Sequence, residues 1–216
     1  ITAGHKLVLQ NLGPDTPYGG PLAADPPSVD IPEVMEFNVV SLIGADSIVT
    51  PSGATNLRPV SGSIQQLVVT PGTAPVRYVS LEEGMDEFGR TMPTIDGRGF
   101  MPGVLPITES VRLNDVEEWA IINNTVDAHP IHLHLVAFQM ISMQACDPLT
   151  YVPASMTAPW TQAYCAGTGP VYTPNAWEAG WKDTIDVPPG MIVRVRAKFD
   201  ILGNKYVYHC HILSHE

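Results

Sequence analysis

Six of the seven histidines in the sequence fall in two short segments: AHPIHLHLVAF, with His129, His132 and His134, and YVYHCHILSHE, with His209, His211 and His215. The second segment also sets Cys210 between two of its histidines. Imidazole and thiolate are the side chains that select transition metals such as copper, zinc and iron, so this grouping points to metal chemistry before any fold is assumed. His5 stands apart and reads as an ordinary surface or core histidine.

Extended geometry sorts the ligands, because side chains alternate between the two faces of a strand. In HLH, His132 and His134 project together; in HCH, His209 and His211 project together while Cys210 projects to the other side. Pro130 disfavours the helical region for the residue before it, so His129 begins its segment extended. His215 follows HCH by enough residues to fold back toward Cys210. One thiolate and two imidazoles in a trigonal arrangement with a weak axial ligand form a blue-copper electron-transfer site, which makes Cys210, His129 and His215 one candidate set. His132, His134, His209 and His211 form a second, all-imidazole set, suited to copper that holds and reduces dioxygen. Because His209 and His211 adjoin Cys210, an electron accepted at the thiolate has a short covalent route to the second set. Zinc fits less well, since the Cys2His2 and Cys3His spacings of closed zinc sites are absent.

The elements that must position these residues are strands. Runs rich in Val, Ile and aromatics recur as HKLVLQNL, MEFNVVSLI, IQQLVVT, VRYVSLE, SVRLNDVEEWAIINN, HLHLVAFQMIS, DTIDVPPG, MIVRVRAKF and KYVYHCHI. Turn signals such as DTPYGG, TPGTAP, DEFG, DGRG, VPPG and DILGN separate them, and helical periodicity is hard to find. Strands at this spacing, with 21 prolines in the chain, predict an all-β Greek-key sandwich or barrel. The Pro-rich stretch PDTPYGGPLAADPPSVDIP, followed by MEFNVV, reads as the passage from one unit to another. A boundary near residue 45 leaves 1–45 as the tail of a preceding domain and 46–216 as the main domain, with IVTPSGATNLRPVSGS as an exposed linker.

Bulk properties narrow the partners. The chain has 216 residues and 44% hydrophobic content, enough for one full core and part of another. A formal charge of -11, with eleven Lys and Arg spread over the whole length, argues against a nucleic-acid partner. No stretch approaches the roughly 18 consecutive apolar residues of a membrane span. ITAGHKLVLQ shows neither a signal-like pattern nor an initiator methionine, as a processed, truncated or incompletely recorded chain would. Cys146 and Cys165 bracket PLTYVPASMTAPWTQAY, and a disulfide closing that loop is expected, which implies an oxidising compartment and leaves Cys210 among the histidines.

HPIHLHLVAF and HCHILSHE resemble the multicopper oxidase family, which is built from cupredoxin domains. RYVSLEEGMDEFGR, EEWAIINNTVDAHPIHLH, GWKDTIDVPPG and KYVYHCHIL resemble, in that order, the bacterial spore-coat laccase branch. The resemblance spans most of the chain from about residue 60 onward and implies a cupredoxin-like C-terminal domain preceded by the end of a middle domain. It implies that His129, Cys210 and His215 bind the type 1 copper, His132 the type 2 copper, and His134, His209 and His211 the type 3 pair. Glu216 resembles an acidic residue that relatives keep near the dioxygen channel as a proton source, and Asp183 is a candidate partner of a ligand.

The family's trinuclear centre takes half of its histidines from an N-terminal domain, so the resemblance implies an N-terminal cupredoxin portion outside this chain. The axial residue of the type 1 site would fall beyond Glu216. Implied partners are dioxygen and a small reducing donor: a phenol, an aromatic amine, or an Fe or Mn ion. Asp127, beside His129, and the group Glu82, Glu83, Asp86 and Glu87 could draw a metal ion, although the group reads better as a solvated hairpin. The implied setting is secreted, periplasmic, or on a cell or spore surface. Two other readings stay open: an electron carrier or nitrite-reductase-like cupredoxin that uses only the Cys210 set, and a cupredoxin module without catalysis.

Overall fold

In the computed structural model the chain is described at residues 2–13, 31–44, 66–69, 76–100, 107–155, 161–176, 178–203 and 205–215. The linker expected at 48–63 and Glu216 lie outside the described residues. The apolar runs form strands, and the described residues contain no α-helix, only one 3-10 turn at Leu213–His215.

Two compact units share the chain. The first holds β1 (Lys6–Gln10) and β2 (Glu33–Asn38), an antiparallel pair with Lys6 opposite Asn38 and Lys6 Nζ 2.9 Å from Glu36. The second holds β3 (Arg77–Met85), β4 (Thr91–Ile95), β5 (Val116–Asn123), β6 (His129–Leu133), β7 (Phe138–Cys146), β8 (Gly167–Tyr172), β9 (Thr184–Val187), β10 (Met191–Lys198) and β11 (Tyr208–Cys210).

These strands make two sheets, one in the order β4-β3-β5-β10-β7-β8 and one in the order β11-β6-β9. Val79, Trp119, Ile121, Phe138, Val193 and Val195 of the larger sheet pack with Ile131, Leu133, Ile185, Val187 and Cys210 of the smaller in one core. Full burial of each large aliphatic or aromatic side chain contributes about 1.5–3 kcal/mol over exposure. The run WAII in β5 is apolar at every position because the strand is covered on both faces. Trp119 and Ile121 enter the sandwich, while Ala120 and Ile122 meet Ala163, Cys165 and Ile192 in a second cluster. The Cys146–Cys165 disulfide closes the excursion that provides this outer cover, as expected from the spacing.

Several expected strands differ in detail. HLHLVAFQMIS splits into β6 and β7 because the chain turns at Leu135, a non-glycine residue at φ 73°. Such a left-handed conformation costs a branched side chain about 1–3 kcal/mol and is held only by its surroundings. IQQLVVT forms no strand at residues 66–69. TMPTI and GTGPVY, which lack a strong strand signal, become β4 and β8 at the two edges of the large sheet. An edge tolerates Pro93 and the glycines because it satisfies fewer ladder bonds.

Candidate metal centre

The smaller sheet carries both histidine segments. β11 pairs antiparallel with β6, placing His209 opposite His132 and Cys210 opposite Ile131. Residues facing each other across a ladder share a face, so one parity turns inward and the other outward. His129, Ile131 and Leu133 are buried, whereas Pro130 and His132 are half-buried and His134 is exposed. The same alternation sends Cys210 inward and leaves His209 half-buried and His211 exposed.

The inward set closes when the 3-10 turn Leu213–His215 folds back. His215 N donates to Ile212 O at 2.8 Å, and Ile212 N donates to Cys210 Sγ at 3.5 Å. His129 Nδ1 lies 3.5 Å from Cys210 Sγ, and the His129 and His215 rings are 5.4 Å apart. One ligand atom from each of His129, Cys210 and His215 falls within 4.8 Å of the others. His215 Nδ1 is buried and has no hydrogen-bond partner. A ring nitrogen removed from water and left unsatisfied costs about 1–3 kcal/mol, a deficit that a bound metal removes. Burial, together with the neighbouring His215, lowers the pKa of His129 against an opposing contribution from Asp127, which favours the neutral ring a metal requires.

The outward set is open. His134 Nε2 and His209 Nε2 stand 3.1 Å apart, and ligand atoms of His132, His134 and His209 lie within 4.8 Å of one another. The His211 ring is 5.5 Å from His132 and 5.2 Å from His209. Outer contacts turn the rings. His132 Nδ1 donates to Asp183 O at 2.8 Å, with Thr184 Oγ1 at 3.1 Å, and His209 Nδ1 donates to Cys210 O at 3.0 Å. Both therefore leave Nε2 available to a metal. His134 has its pKa lowered by desolvation and by the charges of His132, His209 and His211.

A profile of the multicopper oxidases matches residues 70–216. The chain belongs to the multicopper oxidase family. It is 36% identical to the laccase of Bacillus stratosphericus over 164 residues, 76% of this chain and 30% of that protein. It is also 36% identical to the laccase of Bacillus subtilis over 141 residues, 65% of this chain and 25% of that protein. This multicopper oxidase chain thus spans less than a third of the length of either relative. Its fold is the cupredoxin-like sandwich expected from the sequence, as in a crystal structure of laccase from Pediococcus acidilactici that covers all of this chain and 34% of its own, at 25% identity and TM-score 0.57. A multicopper oxidase of Campylobacter jejuni shares the fold, with TM-score 0.59 and 20% identity over 99% of this chain and 39% of its own. Copper is the metal of this family, and the inward thiolate–imidazole set suits it. No described helix is long and apolar enough to cross a membrane.

Asp183, the candidate partner of a ligand, reaches His132 through its main-chain carbonyl, while Thr184 Oγ1 donates to its side chain at 3.1 Å. The acidic group expected as a solvated hairpin divides. Glu87 is exposed and Asp86 pairs with Arg90 at 2.7 Å, but Glu83 Oε1 comes 3.6 Å from His129 Nε2 and Glu82 accepts from Tyr151 Oη. Asp127 Oδ1 is buried without a partner beside His129. Thr125, whose Oγ1 is 2.6 Å from His129 Nε2, escapes sequence reasoning entirely, although its place in NNTVDAHP was the available signal. His5 is exposed and meets Thr2, as an isolated histidine should.

Proposed function

We propose that this chain is the C-terminal cupredoxin portion of a laccase-like multicopper oxidase, with residues 1–45 the tail of the preceding domain and 46–216 the domain that holds the metals. The whole enzyme couples one-electron oxidation of a phenol, an aromatic amine or a metal ion to four-electron reduction of dioxygen to water. Supporting this reading above all is the three-residue strand β11, which turns Cys210 inward to His129 and His215 and turns His209 outward to His132 and His134. Copper bound in both sets would supply one-electron chemistry on one side and dioxygen reduction on the other.

The chain's own residues give that chemistry its layout. His129, Cys210 and His215 hold the type 1 metal, and burial of the first two keeps water from the thiolate. Cys210 is bonded through the main chain to His209 and His211, so the path between the sets is covalent. His132 serves the type 2 metal, and His134, His209 and His211 serve the type 3 pair, with complementary histidines contributed by an N-terminal cupredoxin portion. Glu216 supplies protons on the dioxygen side.

On the donor side, Glu83 and Asp127 place carboxylates beside His129, which favours a cationic donor by local charge. Copper counting on the complete purified protein tests the main reading: a type 1, a type 2 and a type 3 pair together with donor-dependent oxygen uptake support it. A single blue copper without oxygen uptake would replace it with an electron carrier, and no copper with a passive module. For the donor preference, Asp127→Asn should raise KM for Fe(II) or Mn(II) and leave KM for a neutral phenol unchanged. An equal change for both donors would remove it.

A further inference from the structure

The hydrogen bonds behind His129 have a single polarity. Asn123, at the end of β5, is 1% exposed. Its Nδ2 donates to two main-chain carbonyls, Asp127 O and Val187 O, both at 2.7 Å. Carbonyl oxygens only accept, so the amide cannot be turned round and Oδ1 faces Thr125. That oxygen accepts from Thr125 N at 2.9 Å and from Thr125 Oγ1 at 2.8 Å. The other oxygen near the hydroxyl on this side, Asp127 O at 3.1 Å, is again only an acceptor. With its single hydrogen directed to Asn123 Oδ1 or Asp127 O, the Thr125 hydroxyl turns a lone pair toward His129 Nε2, 2.6 Å away. A ring nitrogen facing a lone pair carries the proton, so Nδ1 is the bare nitrogen, 3.5 Å from Cys210 Sγ.

Glu83 is the competing acceptor. Its Oε1 stands 3.6 Å from the same Nε2, beyond hydrogen-bond length but within reach of a small ring movement. A carboxylate accepts the imidazole proton more strongly than a hydroxyl does, and an imidazole that shares its proton with a carboxylate is the more basic ligand. A more basic ligand favours the higher oxidation state of the metal it holds.

We propose that Asn123 and Thr125 form a positioning relay that fixes His129 as the Nε2–H tautomer, presents Nδ1 to the metal, and keeps the Nε2 proton on a neutral hydroxyl instead of on Glu83. Resting on the copper reading given above, the relay adds two residues outside the ligand set and makes Thr125 a determinant of the reduction potential at the Cys210 set. Without its hydroxyl the His129 proton passes to Glu83, and the potential falls.

The test uses the complete copper-loaded protein with Thr125→Val, which keeps the shape without the hydroxyl, and Thr125→Ser, which keeps the hydroxyl. Pulsed EPR of the blue copper reads the remote nitrogen of each ligating imidazole, and potentiometric titration reads the midpoint potential. Thr125→Val should change the remote-nitrogen coupling of one imidazole and lower the potential. Thr125→Ser should retain the unsubstituted values, and adding Glu83→Gln to Thr125→Val should raise the potential again. Unchanged coupling and potential in Thr125→Val, or a Ser variant that behaves like the Val variant, overturns the relay. Nitrogen-15 NMR of the copper-free protein reads the tautomer without any substitution, and a proton on His129 Nδ1 overturns it equally. Failure of the unsubstituted protein to give a blue copper signal would defeat the functional reading instead, while the tautomer measurement still decides the relay.

Discussion

The two histidine constellations are built from the same two strands yet differ in closure. His129 is 3% exposed and Cys210 9%, and their neighbours, Ile131, Leu133 and Val187, are core residues. His134 and His211 are exposed, and His132 and His209 are half-buried. A set inside the sandwich obtains its donors and its dry surroundings from its own domain. A set on the outer face has its ring nitrogens directed outward, where further ligands from another part of the protein can meet them. The parity of one short strand thus divides a buried, closed set from an open one.

The largest effect that can break this comparison is loss of the residue the two sets share through the chain. Cys210→Ser should abolish the blue colour and donor oxidation in the copper-loaded protein, because a serine hydroxyl is not a soft ligand. Absorption spectroscopy and oxygen uptake check it. Donor oxidation that persists would remove Cys210 as the point of electron entry. His209→Gln should do the reverse in part, keeping the blue colour and losing oxygen uptake. Simultaneous loss of colour would mean that the faces are not independent.

A smaller effect concerns the scaffold. Ile131 is 1% exposed and lies opposite Cys210, between the inward ligands. Ile131→Ala should destabilise the protein by about 2–5 kcal/mol and Ile131→Val by about 0.5–1.5 kcal/mol, measured by denaturant unfolding. Ile131→Ala should also broaden or bleach the blue band before it alters copper bound by the outward set. Equal loss from both sets would show that they draw on the same packing.

The division into faces was legible in the sequence because it depends on a local rule, the two-residue period of a strand, applied to HLH and HCH. The effect of Pro130 on the residue before it and the return of His215 within the few residues after HCH were legible from equally local features. The rest depends on pairings across long stretches of chain. Register between β6 and β9 brings the main-chain carbonyl of Asp183, not its carboxylate, to His132. Parallel pairing of β3 with β5 joins segments far apart in sequence, and Glu83 of β3 reaches His129 although the hairpin around it looked solvated. Even β4 and β8 were hidden, since edge strands carry a weak apolar pattern. Nothing in a single sequence states which distant carbonyl or carboxylate will face a given ring nitrogen.

The smallest effect is electrostatic and separates the sets by cause. In the metal-free protein the pKa of His129 is held down first by burial and then by His215, while Asp127 opposes the shift. That of His134 is held down by desolvation and then by three histidine neighbours, His132, His209 and His211. A histidine whose folded pKa lies below its unfolded value binds fewer protons when folded, so its contribution to stability is intact above about pH 6.5 and is lost as pH falls through and below that value. Denaturant unfolding of the metal-free protein should therefore show stability declining over that acid range. His211→Gln removes one of the charges acting on His134 and none that acts on His129, so NMR titration should move the His134 pKa upward toward its ordinary value and leave that of His129 in place. A shift of His129 in that variant would mean that the two faces of the strand communicate electrostatically, and the separation drawn from side-chain parity would then hold for geometry but not for charge.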